Sequence, residues 1–345
     1  MQIFYSNKHR LHAPPNELHG GAFVQPFEMP SRMDVILERL KERGFDEIAD
    51  PGPVDLTPLS QIHAPSYLRF LETVWEDWKA EGMQAEVIAT NIPARGMHLD
   101  RPPRNIDGKV GYFCHSSETA MTAGTYEAAC ASLASAQAAQ SHVLAGAPGA
   151  FALCRPPGHH ATRDQFGGYC FLNNAAAAAQ MLRNGGVARV AVLDIDFHHG
   201  NGTQDIFYDR GDVFFASLHG APEDSYPYYI GHADEAGRGA GEGSNLNLPM
   251  PPGTGYSAWS EALDHAVANI LAWQAEALVV SLGVDAFKED PISFFRLDSD
   301  DFTDAGRRIG QMGLPTVFVM EGGYAVDEIG INTVNVLEGF ADHDC

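Results

Sequence analysis

At 345 residues, 45% of them apolar, the chain is long enough for one large α/β domain or two smaller ones and has the balance of a soluble globular protein. Its 45 Asp and Glu against 22 Lys and Arg give a formal net charge of -23, which disfavours nucleic acid, anionic membrane and other polyanionic partners and favours small cations. No apolar run is long enough to span a bilayer, and Met1 to Ser6 lacks the basic stretch and apolar run of a secretory signal.

In chain order, helical patterning is expected over residues 31–43 and 66–80, and then over 119–144, with a break near Gly124. Between these last two, residues 81–112 form a long segment punctuated by Pro93, Gly96, Pro102, Pro103 and Gly108, longer than an ordinary connection and therefore expected to serve function or an interface. The Ala-rich stretch 128–147 is interrupted by Gln137, Gln140 and His142, so a packed helix is expected there rather than a membrane span. Short apolar runs at 150–153, 189–193, 213–218, 278–282 and 316–320 read as buried parallel strands. They alternate with helices expected at 173–184, 256–274, 300–312 and 332–340, the pattern of an α/β fold with a largely parallel multi-stranded sheet flanked by helices. The sequence shows no internal repeat. Five cysteines, Cys114, Cys130, Cys154, Cys170 and Cys345, are odd in number and form no CxxC pair, so neither a disulfide framework nor a cysteine zinc site is indicated, and a reducing cytoplasm is expected.

Four of the expected strands run directly into polar motifs. Residues 150–153 lead to Arg155-Pro156-Pro157-Gly158-His159-His160, and 189–193 to Asp194-Ile195-Asp196-Phe197-His198-His199-Gly200-Asn201. Residues 278–282 lead to Gly283-Val284-Asp285, and 316–320 to Glu321-Gly322-Gly323-Tyr324. Ligands of open α/β sheets bind beyond the carboxyl ends of the strands, so the four motifs are expected to meet. Alternate residues of an extended chain point to one side, which would turn Asp194, Asp196 and His198 the same way. Buried unpaired charge is strongly disfavoured, so such a strand end calls for a neutralising ion.

By residue type, Asp196, His198 and Asp285 supply three protein ligands for zinc, Fe2+ or another divalent ion, leaving open positions for water and substrate. His159 and His160 are placed for general acid and base work near neutral pH. Tyr324, after two glycines, can direct its hydroxyl at a developing oxyanion.

Taken together, Pro156-Pro157-Gly158-His159-His160, Asp194-x-Asp196-x-His198-His199-Gly200, Leu282-Gly283-Val284-Asp285 and Glu321-Gly322-Gly323-Tyr324 resemble the zinc-dependent histone deacetylase superfamily. The likeness runs from about Tyr5 to Phe340, and the stretches 155–174 and 285–295 look most like the bacterial acetylpolyamine amidohydrolases of that superfamily. The resemblance implies the arginase/deacetylase fold as one domain over 1–345, with Asp196, His198 and Asp285 as zinc ligands, His159 and His160 as the acid/base pair, and Tyr324 as electrophilic hydrogen-bond donor. It further implies that Asp194 orients His159 and belongs with Ser217 to a structural potassium site, and that Tyr169 and Tyr226 wall a substrate channel. Asn201 stands where many members have an aspartate behind the second histidine, and a neutral amide raises imidazole basicity less than a carboxylate does.

The expected activity is hydrolysis of small acetylated polyamines to acetate and free amine. Glu118 and Asp107 are the candidates for meeting the distal ammonium groups. The loop at about 81–112 resembles the insertion that builds a homodimer and narrows the channel mouth. The rival readings are an acetyl-lysine deacetylase using the same metal site, a two-metal ureohydrolase, for which further ligands are lacking, and a non-catalytic sensor.

Overall fold

The structure, a computed structural model, describes residues 1–342; Cys345 lies outside the described residues. The first third of the chain carries β1 (Gln2–Phe4), the hairpin β2 (Glu17–His19) and β3 (Ala22–Val24), α1 (Ser31–Glu42), β4 (Ile48–Ala49), α2 (Pro65–Ala80) and α3 (Ile106–Tyr112). Then follow α4 (Thr125–Leu144), β5 (Gly149–Ala152), α5 (Asn174–Asn184), β6 (Val190–Asp194), α6 (Asn201–Phe207), β7 (Val213–Gly220) and β8 (Asn245–Met250). The last third comprises α7 (Tyr256–Ala272), β9 (Ala277–Leu282), α8 (Ser299–Gly310), β10 (Thr316–Met320) and α9 (Ile329–Ala341).

Eight strands form one sheet in the order β4-β1-β5-β10-β9-β6-β7-β8, and every pairing in it is parallel. Each residue of β5, β6, β7, β9 and β10 is buried, as expected of strands covered by helices on both faces. The register is tight across the centre: Val192 of β6 lies opposite Val279 of β9 and Phe215 of β7.

Helix ends follow local chemistry. Asn173 caps α5 by accepting from the Ala176 N–H at 2.8 Å, and Asp298 and Asp301 form a reciprocal capping box at the start of α8. The break expected near Gly124 is the start of α4, where a side chain would sit 2.4 Å from the Leu11 carbonyl oxygen; residues 119–124 are therefore not helical. The Ala-rich α4 is a packed helix, and no helix among the described residues is long and apolar enough to cross a membrane.

Three strands of the sheet were not expected from sequence. β1 and β4 are only three and two residues long. In the edge strand β8 the buried positions include Asn245 and Asn247 whereas Leu246 and Leu248 are half-buried, so its alternation is inverted relative to an apolar strand. The long segment after α2 runs to residue 105 with one isolated antiparallel bridge, Val87 to Met121, before α3 closes it.

Candidate active site

The four strands that carry polar motifs, β5, β10, β9 and β6, are consecutive neighbours in the sheet. Their carboxyl ends therefore deliver His159, Glu321, Asp285 and Asp194 to one place, with no long loop needed to bring them there.

At its centre lie Asp196, His198 and Asp285, whose ligating atoms all fall within 4.8 Å of one another. Both carboxylates are fully buried. The His198 Nδ1 is 2.9 Å from Asp285 Oδ2 and 3.3 Å from Asp196 Oδ1, so the lone pair a cation would use faces both acids. Glycines permit the crowding: a Cβ at Gly283 would lie 2.0 Å from Asp196 Oδ2, and one at Gly322 would lie 2.6 Å from carboxylate oxygens of both Asp196 and Asp285. The Gly322 N–H instead donates to Asp196 Oδ2 at 2.8 Å.

The electrostatics ask for positive charge at this point. Burial, and then the Asp196 charge, push the Asp285 carboxyl well above the usual carboxylate range. Burial opposes charge on His198, yet the hydrogen bonds its imidazole donates to Asp196 and Asp285 more than offset it and raise it to about 10. Two carboxylates and an imidazole at this spacing fit a divalent ion such as zinc, which would replace that proton.

Beside this set stand two imidazoles in different states. His159 Nδ1 is 2.9 Å from Asp194 Oδ2; burial disfavours its charged form, but Asp196 and Asp194 outweigh burial and raise its pKa well above the ordinary histidine value. His160 Nδ1 is 2.6 Å from the Asn201 amide oxygen, which can only accept, so Nδ1 carries the proton and Nε2 keeps its lone pair. Burial, with the His159 and His198 imidazoles, pushes His160 well below the ordinary value. Asn201 thus sets the tautomer of a neutral histidine, whereas Asp194 supports a charged one.

A cavity of about 440 Å³ opens above these groups, within the size range of small-molecule sites. His160, His198 and Tyr324 form its floor, Tyr169 and Tyr226 its aromatic walls, and Glu118 places a half-buried carboxylate on its side. Tyr324 is buried, and burial raises its phenol well above the ordinary tyrosine value, so the hydroxyl stays a donor. The Arg32 guanidinium lies 4.9 Å from the centre of its ring.

Tyr169 has a positive φ of 65° and is held there by its N–H donating to Thr119 Oγ1 at 2.9 Å and its hydroxyl donating to Glu17 Oε1 at 3.1 Å. Glu118 accepts from the Ser116 hydroxyl and from the Gly168 N–H, so it supports the wall as well as lining the cavity.

Not every expected site residue comes here. Asp107 sits in the first turn of α3, where its N–H is capped by Asn105 Oδ1 at 2.9 Å, and it is not among the residues lining the cavity. Ser217 on β7 lies in register with Asp194 on β6, as a shared site requires, and its hydroxyl is 2.9 Å from His219 Nδ1.

Compared with known proteins, residues 26–340 match the histone deacetylase domain model. The acetylpolyamine amidohydrolase of Mycoplana ramosa is 53% identical over 341 residues, covering 99% of this chain and 100% of that protein. The chain belongs to the histone deacetylase family. Acetylpolyamine amidohydrolase 2 of Pseudomonas aeruginosa is 52% identical over 99% of this chain and 98% of its own length. A solved structure of acetylpolyamine aminohydrolase from Burkholderia pseudomallei superposes with a TM-score of 0.93 at 40% identity, covering 99% of each chain. The HDA15 HD domain, at 24% identity and a TM-score of 0.81 over 100% of this chain and 92% of its own, shares the fold. This member of the histone deacetylase family is accordingly an amide hydrolase with the arginase/deacetylase fold.

Sequence reasoning passed over several residues that shape this deacetylase site. Glu321 Oε2 accepts from the N–H groups of Gly158 at 2.6 Å and His159 at 3.2 Å, fixing the histidine loop to β10. Arg32 donates to the carbonyls of Glu321 and Gly323 from α1. His115 bridges the His160 carbonyl, 3.1 Å from Nε2, and the Tyr226 hydroxyl, 3.2 Å from Nδ1. For Glu321 the signal was its place in the quoted motif; the others act from distant segments and left none.

Proposed function

We propose that this protein is a zinc-dependent deacetylase that removes the acetyl group from small acetylated polyamines of the acetylputrescine, acetylcadaverine and acetylspermidine type. The observation that carries this reading is the meeting of a three-ligand metal set, a neutral His160 and the Tyr324 donor on the floor of one cavity whose side bears the Glu118 carboxylate. It is supported by relatives named for acetylpolyamine substrates that match nearly the whole chain.

When bound by Asp196, His198 and Asp285, zinc supplies Lewis acidity toward the amide carbonyl and toward water. His160, with Nε2 unprotonated, takes a proton from the attacking water. Tyr324 donates its hydroxyl proton in a hydrogen bond to the oxygen that becomes negative as the carbonyl carbon turns tetrahedral. His159, oriented through Nδ1 by Asp194, stands as the second imidazole beside that charge. The proton now on His160 passes to the amine nitrogen as the C–N bond breaks, giving acetate and a free amine. Tyr169 and Tyr226 confine the methylene chain, and Glu118 faces the distal ammonium. Potassium between Asp194 and Ser217 would hold the end of β6 against β7.

Ile92, Met97 and Leu99 are exposed on the segment between α2 and α3, which supports a homodimer formed through this segment. Cys114, Cys130, Cys154 and Cys170 are all unpaired, in keeping with a cytoplasmic protein. The test is acetate release from N-acetylputrescine by zinc-loaded and chelator-treated protein. Metal-dependent turnover supports the reading, and bound acetylputrescine without turnover in the zinc-loaded protein would make it a sensor.

A further inference from the structure

The turn that carries Tyr324 is held upstream by Asp196 at the Gly322 N–H and by Arg32 at the Gly323 carbonyl, and neither bond reaches the N–H of the tyrosine itself. Gly322 and Gly323 precede it, and Gly323 has a φ of +131°, a region open to glycine and rarely to other residues. No helix or strand contains Tyr324 itself, since β10 ends at Met320 and α9 begins at Ile329. The aim of its hydroxyl therefore depends on what holds the Tyr324 end of the turn.

Asp290, on the loop between β9 and α8, reaches it from 34 residues earlier in the chain. Its Oδ2 accepts from the Tyr324 N–H at 2.7 Å and from the Ala325 N–H at 3.3 Å, while Oδ1 accepts from the Ile292 N–H at 3.1 Å. Its own N–H donates to the Phe287 carbonyl at 3.0 Å, tying the carboxylate to the segment that follows Asp285. The side chain is buried. Tyr324 and Ile292 both line the catalytic cavity, so the two oxygens of one carboxylate fix two parts of its surface.

We infer that Asp290 is a positioning residue that holds the Tyr324 turn against the cavity floor and registers it with the Ile292 wall. The inference rests on the reading of Tyr324 as the oxyanion donor. A carboxylate can accept on both sides at once, and hydrogen bonds to a charged acceptor are the stronger kind. An amide of the same size has a single accepting oxygen, so Asp290→Asn must present an NH2 group to one of the two sets of N–H donors. The fold can survive this, but the aim of the tyrosine hydroxyl should not. Misplacement of a reacting group by about 1 Å can cost on the order of a hundredfold.

The experiment is a double-mutant cycle on zinc-loaded protein with N-acetylputrescine, measuring kcat and KM for the parent, Asp290→Asn, Tyr324→Phe and the pair, with bound zinc and the thermal midpoint recorded for each. Asp290→Asn should lower kcat by about tenfold or more at full zinc content. In the Tyr324→Phe background the same substitution should change kcat by less than about twofold, because two residues acting through one hydroxyl do not add. Equal losses in both backgrounds, or parental kcat in Asp290→Asn, would overturn the inference. If Asp290→Asn does not fold, Asp290→Glu, which keeps the charge and displaces the oxygens, is put through the same cycle with the same expectation. Parental kcat in Tyr324→Phe alone marks a different failure, that of the oxyanion-donor reading.

Discussion

The floor of the cavity is built from motifs that follow the carboxyl ends of neighbouring central parallel strands, whereas the rim is made of loops and a hairpin tied to distant segments of the chain. Asp194, Asp196, Asp285 and Glu321 are all fully buried, while Tyr228, which lines the cavity, is 53% exposed. The contrast separates two tasks. Strand ends are rigid enough to hold charges in a shared geometry, and loops can vary without disturbing it. Substitutions on the floor should therefore act on kcat, and those at the rim on KM and on which amine is accepted.

The sharpest test of the floor is removal of a ligand. Asp285→Asn should abolish metal retention, measured by elemental analysis, and reduce acetate release to the level of the metal-free protein; full zinc content in this variant would break the assignment. His160→Ala should retain metal and lower kcat by roughly 10²–10⁴-fold, the range for a lost general base. Tyr324→Phe should also retain metal and lower kcat by about 10²–10³-fold. At the rim, Glu118→Gln should raise KM for N-acetylputrescine by about tenfold, as befits a lost charged hydrogen bond, with little change for uncharged N-acetylbutylamine. Equal effects on the two substrates would mean that Glu118 only props up the wall through Ser116 and Gly168.

A smaller effect is expected from pH, through histidines that support the floor from outside the metal set. His63 accepts from the Asn173 N–H at Nε2 and faces the Thr162 carbonyl with Nδ1, so it is a neutral tautomer, and burial lowers its pKa to about 4. Burial likewise lowers His115 to about 4. Both are neutral in the native state and would take up protons on unfolding. Their contribution is complete above the unfolded value near 6.5 and is lost as pH falls from there toward 4. Relative to His63→Gln, the parent's stability to urea should fall more steeply between pH 6.5 and 5, by up to roughly 1.4 kcal/mol per pH unit for the one ring; parallel profiles would show that His63 is not held neutral. The mildest perturbation is Met97→Ser with Leu99→Ser, which should weaken self-association in sedimentation and leave kcat unchanged.

The same division explains what could be read from the chain. The floor was legible because its chemistry is local: Asp194, Asp196 and His198 fall within five residues, although β6 ends at Asp194 and residues 196–198 bend instead of continuing the strand, and the strands before each motif are continuous apolar runs. The sheet order that makes β5, β10, β9 and β6 neighbours then does the rest. The rim was not legible because its bonds join distant segments, such as Tyr169 to Glu17 and Tyr226 to His115, 152 and 111 residues apart. Glu118, chosen for its charge, lines the cavity, but nothing in the sequence indicates that Asp107 would lie in the first turn of α3 and outside the cavity lining. Edge strand β8 escaped because its buried side chains include Asn245 and Asn247, which bond to Gln204 and Glu235 in place of an apolar face.

The measurement that bears most directly on the account is a competition between N-acetylputrescine and an acetyl-lysine peptide for the same zinc-loaded protein, read as the ratio of their kcat/KM values. A floor built for amide hydrolysis beneath a cavity with tyrosine walls and one carboxylate predicts a ratio strongly favouring the small amine. A ratio favouring the peptide would contradict the assignment of the rim while leaving the chemistry of the floor in place.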